Sequence, residues 1–123
     1  MTVEELYERI GGNYQEALGR LQSDALISMF VTKFLDDQSC PNLIAAWKAG
    51  DEKAAFEAAH VAKGVCGNLS LGKLADVASE ITEALRPGND TLRAQTDVDA
   101  LIAQLEELYA TTIAAIKELA GTA

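Results

Sequence analysis

Ala59-His60-Val61-Ala62-Lys63-Gly64-Val65-Cys66-Gly67-Asn68-Leu69 is the stretch around which the chain is organised, and it holds the protein's one histidine. At about 100° per residue, His60 falls on one side of a helix with Lys53, Lys63, Gly64 and Gly67. Ala55, Ala58, Ala62, Val65 and Leu69 fall on the other. The imidazole therefore points away from the apolar side, beside a cation and two residues that leave space above it. An apolar side must be buried against neighbours, whereas a nucleophile offered to a large partner needs the open one.

Working outward, Asp51 suits the N-cap of this helix, with Glu52 in its favourable first turn. Ala54, Ala55, Ala58, Ala59 and Ala62 let neighbouring helices approach closely, which fits a central position in a bundle. Upstream, Thr2 and Glu5 form a capping box before Leu6, Tyr7 and Ile10. Gly11-Gly12 ends that helix, and Asn13 with Glu16 starts another through Leu18 and Leu21. Both are too short to stand alone and must lie against the rest of the domain. Ser23 caps a helix carrying Ile27, Phe30, Val31, Phe34 and Leu35; Asp36 to Cys40 interrupts it. Pro41 suits the first turn of the next, which runs through Leu43, Ile44 and Trp47 to Gly50, with Trp47 in the core or as its lid.

Downstream, Asn68-Leu69-Ser70-Leu71-Gly72 ends the histidine helix. Leu74, Val77, Ala78, Ile81 and Leu85 mark another, closed by the breaker cluster Arg86-Pro87-Gly88-Asn89-Asp90. A long stripe from Val98 through Leu105, Tyr109 and Ile116 to Leu119 gives the last helix. No strand period, repeat or low-complexity tract interrupts this pattern. The expected fold is all-α, an antiparallel four-helix bundle with short additional N-terminal helices. It forms one domain over 1–123, its core at about residues 23–119.

Composition narrows the function. The net charge is −9, with no basic stripe, which argues against nucleic acid as a partner. Cys40 and Cys66 form no C-x-x-C and read as free thiols in a reducing compartment; with one histidine they cannot fill a structural zinc site. Met1 to Glu5 lacks a signal-peptide pattern, and no run approaches the roughly 18 apolar residues of a membrane span. A cytoplasmic protein without membrane attachment is expected.

A histidine on a rigid helix serves as base, metal ligand or nucleophile. Here it lacks companions for a metal and a partner acid in a cleft. Attack on phosphorus needs less: a neutral imidazole, steric access, and positive charge for the phosphoryl oxygens. Lys63, one turn on, supplies the charge, and Gly64 removes the side chain that would occlude the group. There is no P-loop, so ATP is not expected as the direct donor; the phosphoryl group must come from another protein.

His60-Val61-Ala62-Lys63-Gly64 resembles the H-x-x-K-G motif of histidine-containing phosphotransfer (HPt) domains, the shuttles of multistep phosphorelays. Ala49-Gly50-Asp51, Ala59, Gly67-Asn68-Leu69 and Leu74 to Arg86 also look like the family pattern, so the similarity runs roughly from Leu18 to Asn89. Ala62 stands where the family usually has a larger aliphatic residue, and Ser70 where a glycine is common. The resemblance implies a four-helix bundle with His60 exposed midway along one helix. It implies a non-enzymatic carrier in which His60 accepts a phosphoryl group from a receiver-domain aspartate and passes it to another. Lys63 would neutralise the phosphohistidine and Gly64 would give it room.

The implied partners are response-regulator receiver domains, with a hybrid histidine kinase as a further candidate. The protein would need no cofactor or metal of its own, Mg²⁺ being expected on the receiver. Lys53, Phe56 and Gly67 border the histidine and are candidate docking residues, although Phe56 suits a packed flank equally well. A monomer would keep that face free. Two other classes compete: an interaction module on the same fold whose histidine is never phosphorylated, and an acyl carrier. Leu69-Ser70-Leu71 lacks the acidic residue that an acyl-carrier attachment site needs.

Overall fold

Five helices begin on a side-chain acceptor. In α1 (Val3–Ile10) Thr2 and Glu5 exchange hydrogen bonds with each other's backbone N–H, both at 3.1 Å. Asn13 accepts from Glu16 N–H at 3.0 Å to open α2 (Tyr14–Leu21). Ser23 accepts from Leu26 N–H at 3.2 Å to open α3 (Asp24–Lys33), which runs into a 3₁₀ turn at Phe34–Asp36. Asp51 accepts from Ala54 N–H at 3.0 Å to open α5 (Glu52–Asn68), the histidine helix. Between them α4 (Ser39–Lys48) starts where Asp37 accepts from both the N–H and the hydroxyl of Ser39, with Pro41 in its first turn. The chain then forms α6 (Gly72–Leu85), α7 (Asp90–Gln95) and α8 (Val98–Gly121), the last opening where Asp97 accepts from Ala100 N–H at 3.0 Å.

These elements come from a computed structural model that describes residues 1–121; Thr122 and Ala123, the last two residues of the expected 1–123 domain, lie outside the described residues. No strand occurs among the described residues. Helices α4, α5, α6 and α8 form a closed ring in which each packs on the next. The short links α4–α5 and α5–α6 make those neighbours antiparallel. Helices α1 and α3 pack on the same long α8, so the short N-terminal helices do lie against the bundle.

The buried stripe of α5 is Ala55, Ala59, Ala62 and Cys66, with Ala58, Val65 and Leu69 only half-buried. The apolar side is thus turned toward Ala59 and Cys66 relative to the sequence expectation, because α4 and α6 cover both flanks of the helix. Cys40 and Cys66 are buried free thiols. A hydrogen bond with Cys40, and then burial, push the Cys66 thiol far above its ordinary range. It behaves as a small apolar core group.

The two ends of the bundle are closed differently. At one, the α1–α2 turn sits on the α5–α6 turn. The fully buried Tyr7 donates its hydroxyl to Leu69 C=O at 2.6 Å, and Asn13 N–H donates to Ser70 C=O at 2.9 Å. Ser70 has φ +56°, the left-handed conformation that explains why glycine suits this position. Its hydroxyl donates to Glu16 at 2.8 Å. A Cβ on Gly12 would lie 2.7 Å from the Tyr7 ring and 3.0 Å from Ser70 O, so the turns meet backbone to backbone.

At the other end α7, which begins where the Arg86 to Asp90 breaker cluster finishes, reaches α5 and α4 through Arg93, and Trp47 of α4 goes on to α8. Arg93 pairs with Glu52 at 2.7 Å and stacks over Trp47 at 5.3 Å, and Trp47 Nε1–H donates to Asp99 at 2.7 Å. None of the side chains of α7 is fully buried, which is why it leaves no hydrophobic period. Trp47 is a half-buried lid.

Gly12→Ala is expected to destabilise the fold by about 1–3 kcal/mol. Gly19→Ala, in α2 with nothing within 4 Å of the new Cβ, should stabilise it by about 0.5–1 kcal/mol; urea denaturation of both reads the contrast. Alkaline unfolding gives a second check. Burial pushes the Tyr7 phenol from 10.0 up to about 12. Its folded pKa exceeds its unfolded one, so its contribution is complete below about pH 10 and is lost as pH rises toward 12. Stability should fall by about 2 kcal/mol over that window, and Tyr7→Phe should flatten the fall.

Candidate functional site

Because α5 buries its alanine stripe, its outermost direction lies between His60 and Val61. Both are exposed, Val61 at 55%. Lys53 and Gly64 lie on the same outer side and are exposed, while Phe56, Lys63 and Gly67 sit on the flank nearer α6 and are half-buried. The Phe56 and His60 ring centroids are 6.1 Å apart, with the planes inclined at 57°. Phe56 is therefore a packed flank and also a neighbour of the imidazole.

Above Gly64 and Gly67 there is open space: a Cβ at either would meet nothing within 4 Å. Each glycine weakens its helical position by about 1 kcal/mol relative to alanine. No contact within the fold accounts for either. Gly67 C=O does have a partner, accepting from Arg20 of α2 at 2.6 Å.

The charges next to His60 come from two helices. Lys63 Nζ lies 3.9 Å from Glu83 of α6, and Arg86 grips the same carboxylate with two hydrogen bonds of 3.1 Å. The Arg86 guanidinium also lies 5.5 Å over the Phe56 ring. The hydrogen bonds from Arg86 hold the Glu83 carboxyl below its ordinary value, helped by the charges of Arg86, Lys63 and His60. Neither Glu83 nor Arg86 was singled out by the sequence reading. Both close an amphipathic helix and only the packing of α6 on α5 brings them to His60, so no local pattern marks them.

On the other flank, α3 exposes Leu26, Met29 and Phe30 at 41%, 45% and 37%, with Lys33 Nζ 5.4 Å over the Phe30 ring. Phe30 and Lys33 share a groove with Val65 and Asn68 of α5. Val61, exposed beside the histidine, lines a separate groove with Asn42 and Ala46 of α4. No group of three or more His, Cys, Asp or Glu placed to hold a metal occurs among the described residues. No helix there is long and apolar enough to cross a membrane.

With this geometry, comparison with protein families matches the Hpt domain over residues 25–115, and the chain belongs to that family. Hpt domains are helical-bundle phosphocarrier modules of histidine phosphotransfer, not kinases. Comparison with curated proteins and with solved structures gave no match.

The Glu83 pairing sets a pH test. Because its folded pKa is lowered, the pairing is present above the ordinary carboxylate range and is lost as pH falls through the lowered value. Arg86→Met should move the Glu83 carboxyl titration back up toward 4.5, read by carboxyl carbon NMR.

Proposed function

We propose that the protein is a phosphorelay intermediate. A ring nitrogen of neutral His60 attacks the phosphorus of a receiver-domain aspartyl phosphate, the N–P bond forming as the P–O bond to the carboxylate breaks. The carboxylate departs with that electron pair, and the second ring nitrogen keeps its proton. A second receiver aspartate takes the group by the reverse sequence. The observation that carries this reading is an H-x-x-K-G motif with its histidine exposed and its glycine open, inside the region matched to the Hpt domain.

Phosphoryl transfer asks the protein chiefly for positioning and charge compensation. Lys63 is held only loosely by Glu83, at 3.9 Å; it turns to the phosphoryl oxygens when they arrive, and Gly64 leaves them room. Arg86 keeps Glu83 occupied meanwhile and adds a second cation. Mg²⁺ belongs to the receiver. Docking uses Lys53, Phe56 and Gly67 around the histidine, together with the exposed apolar side chains of Val61, Met29 and Phe30. It is small and transient, since a shuttle must release each partner. Receiver domains, including that of a hybrid histidine kinase, are the partners, and the protein works as a monomer in the cytoplasm.

The deciding experiment is incubation with a phosphorylated receiver domain, followed by intact mass at neutral and acidic pH. An added phosphate that acid removes, and that never appears on His60→Gln, is expected. Gly64→Ala should stabilise the fold by about 1 kcal/mol yet slow the transfer about tenfold, one 1.4 kcal/mol step in barrier. Binding to receivers without any label would replace the carrier with an interaction module, and absence of binding would end the phosphorelay reading.

A further inference from the structure

We propose that the N-terminal hairpin formed by α1 and α2 holds the histidine helix in register, with Tyr7 and Arg20 as positioning residues for transfer at His60; the second half of this statement rests on the carrier reading. The last carbonyls of a helix have no partner within it. At the end of α5, Val65 C=O accepts from Leu69 N–H at 3.2 Å, Cys66 C=O from Leu71 N–H at 2.9 Å and Gly67 C=O from Ser70 N–H at 3.1 Å, all from the chain's own turn. The hairpin adds a second donor to Gly67 C=O, from Arg20 at 2.6 Å, and supplies the donors to the two carbonyls just beyond the helix: Tyr7 hydroxyl to Leu69 C=O at 2.6 Å and Asn13 N–H to Ser70 C=O at 2.9 Å. Arg20 also pairs with Glu16 at 3.5 Å, and Glu16 accepts from the Ser70 hydroxyl, which closes the network on the left-handed Ser70. A guanidinium at this end also complements the negative pole of the helix.

The need for such a hold follows from the site. The start of α5 has the Asp51 cap and a run of alanines, whereas its end has two glycines with nothing above them and a left-handed residue that is not glycine. The room left beside His60 is therefore made from the weakest part of the helix, and rigidity there has to come from outside it. The hairpin lies before residue 25, ahead of the segment matched to the Hpt domain.

The test uses the full chain with Tyr7→Phe, Arg20→Met and the double variant, which keep the ring and the stem but remove the donors. Amide hydrogen exchange at residues 64–71 should quicken at least tenfold in the double variant, with α8 unchanged. Adding Gly67→Ala should restore slow exchange. Transfer from a saturating phosphorylated receiver should slow three- to tenfold, with the half-saturating concentration within twofold of the parent. Unchanged exchange at 64–71, or an equal rise throughout α8, would overturn the proposal. So would local loosening with unaltered transfer. Local loosening in a protein that never takes phosphate would support the hold on α5 and remove the carrier reading instead.

Discussion

Everything in the structure depends on how closely α4 and α6 approach α5. Alanines at 55, 59 and 62 put almost no side chain between the backbones, and close-packed contacts lose energy steeply when separated by even part of an ångström. Ridge-into-groove packing on two sides fixes the rotation of α5 about its own axis. With that rotation fixed, His60 and Val61 can only face outward. A larger residue on the stripe would push a neighbour away and turn the histidine with it.

The same approach assembles the electrostatics. The chain is acidic, with 19 Asp and Glu against 10 Lys and Arg, but Lys63 and Arg86 lie beside the imidazole, with Lys53 about two turns before it on the same outer side. One carboxylate, Glu83, is shared between Lys63 and Arg86 and keeps the cations from repelling each other in the unliganded protein. On the proposed carrier reading, a phosphoryl dianion would compete with Glu83 for Lys63 more easily than for Arg86, whose grip is bidentate. The two cations are thus held unequally, Lys63 at 3.9 Å and Arg86 by two bonds of 3.1 Å.

What the sequence made legible is what local chemistry determines. The caps at Thr2, Asn13, Ser23 and Asp51 stand where a short polar side chain precedes an apolar period, and all four are formed. The motif at His60, Lys63 and Gly64 could be read because its members lie within about one turn of each other. The short α7 escaped because it buries no side chain fully. Glu83 and Arg86, and likewise Tyr7 and Arg20, reach the histidine helix through packing between helices. No spacing along the chain encodes that meeting. The direction of the buried stripe was misread for a related reason: a wheel assumes one covered side, and α5 is covered on two.

Helix α1 buries Val3, Leu6, Tyr7 and Ile10 and packs on α8, the longest helix of the bundle. The boundary drawn by resemblance, at residue 25, therefore differs from the boundary drawn by folding. A fragment cut at the former would bare an apolar strip on α8 and leave the Leu69 carbonyl without its donor. For this protein the unit that can be excised, transplanted or fused to another chain begins at the first capping box, whatever segment carries the motif.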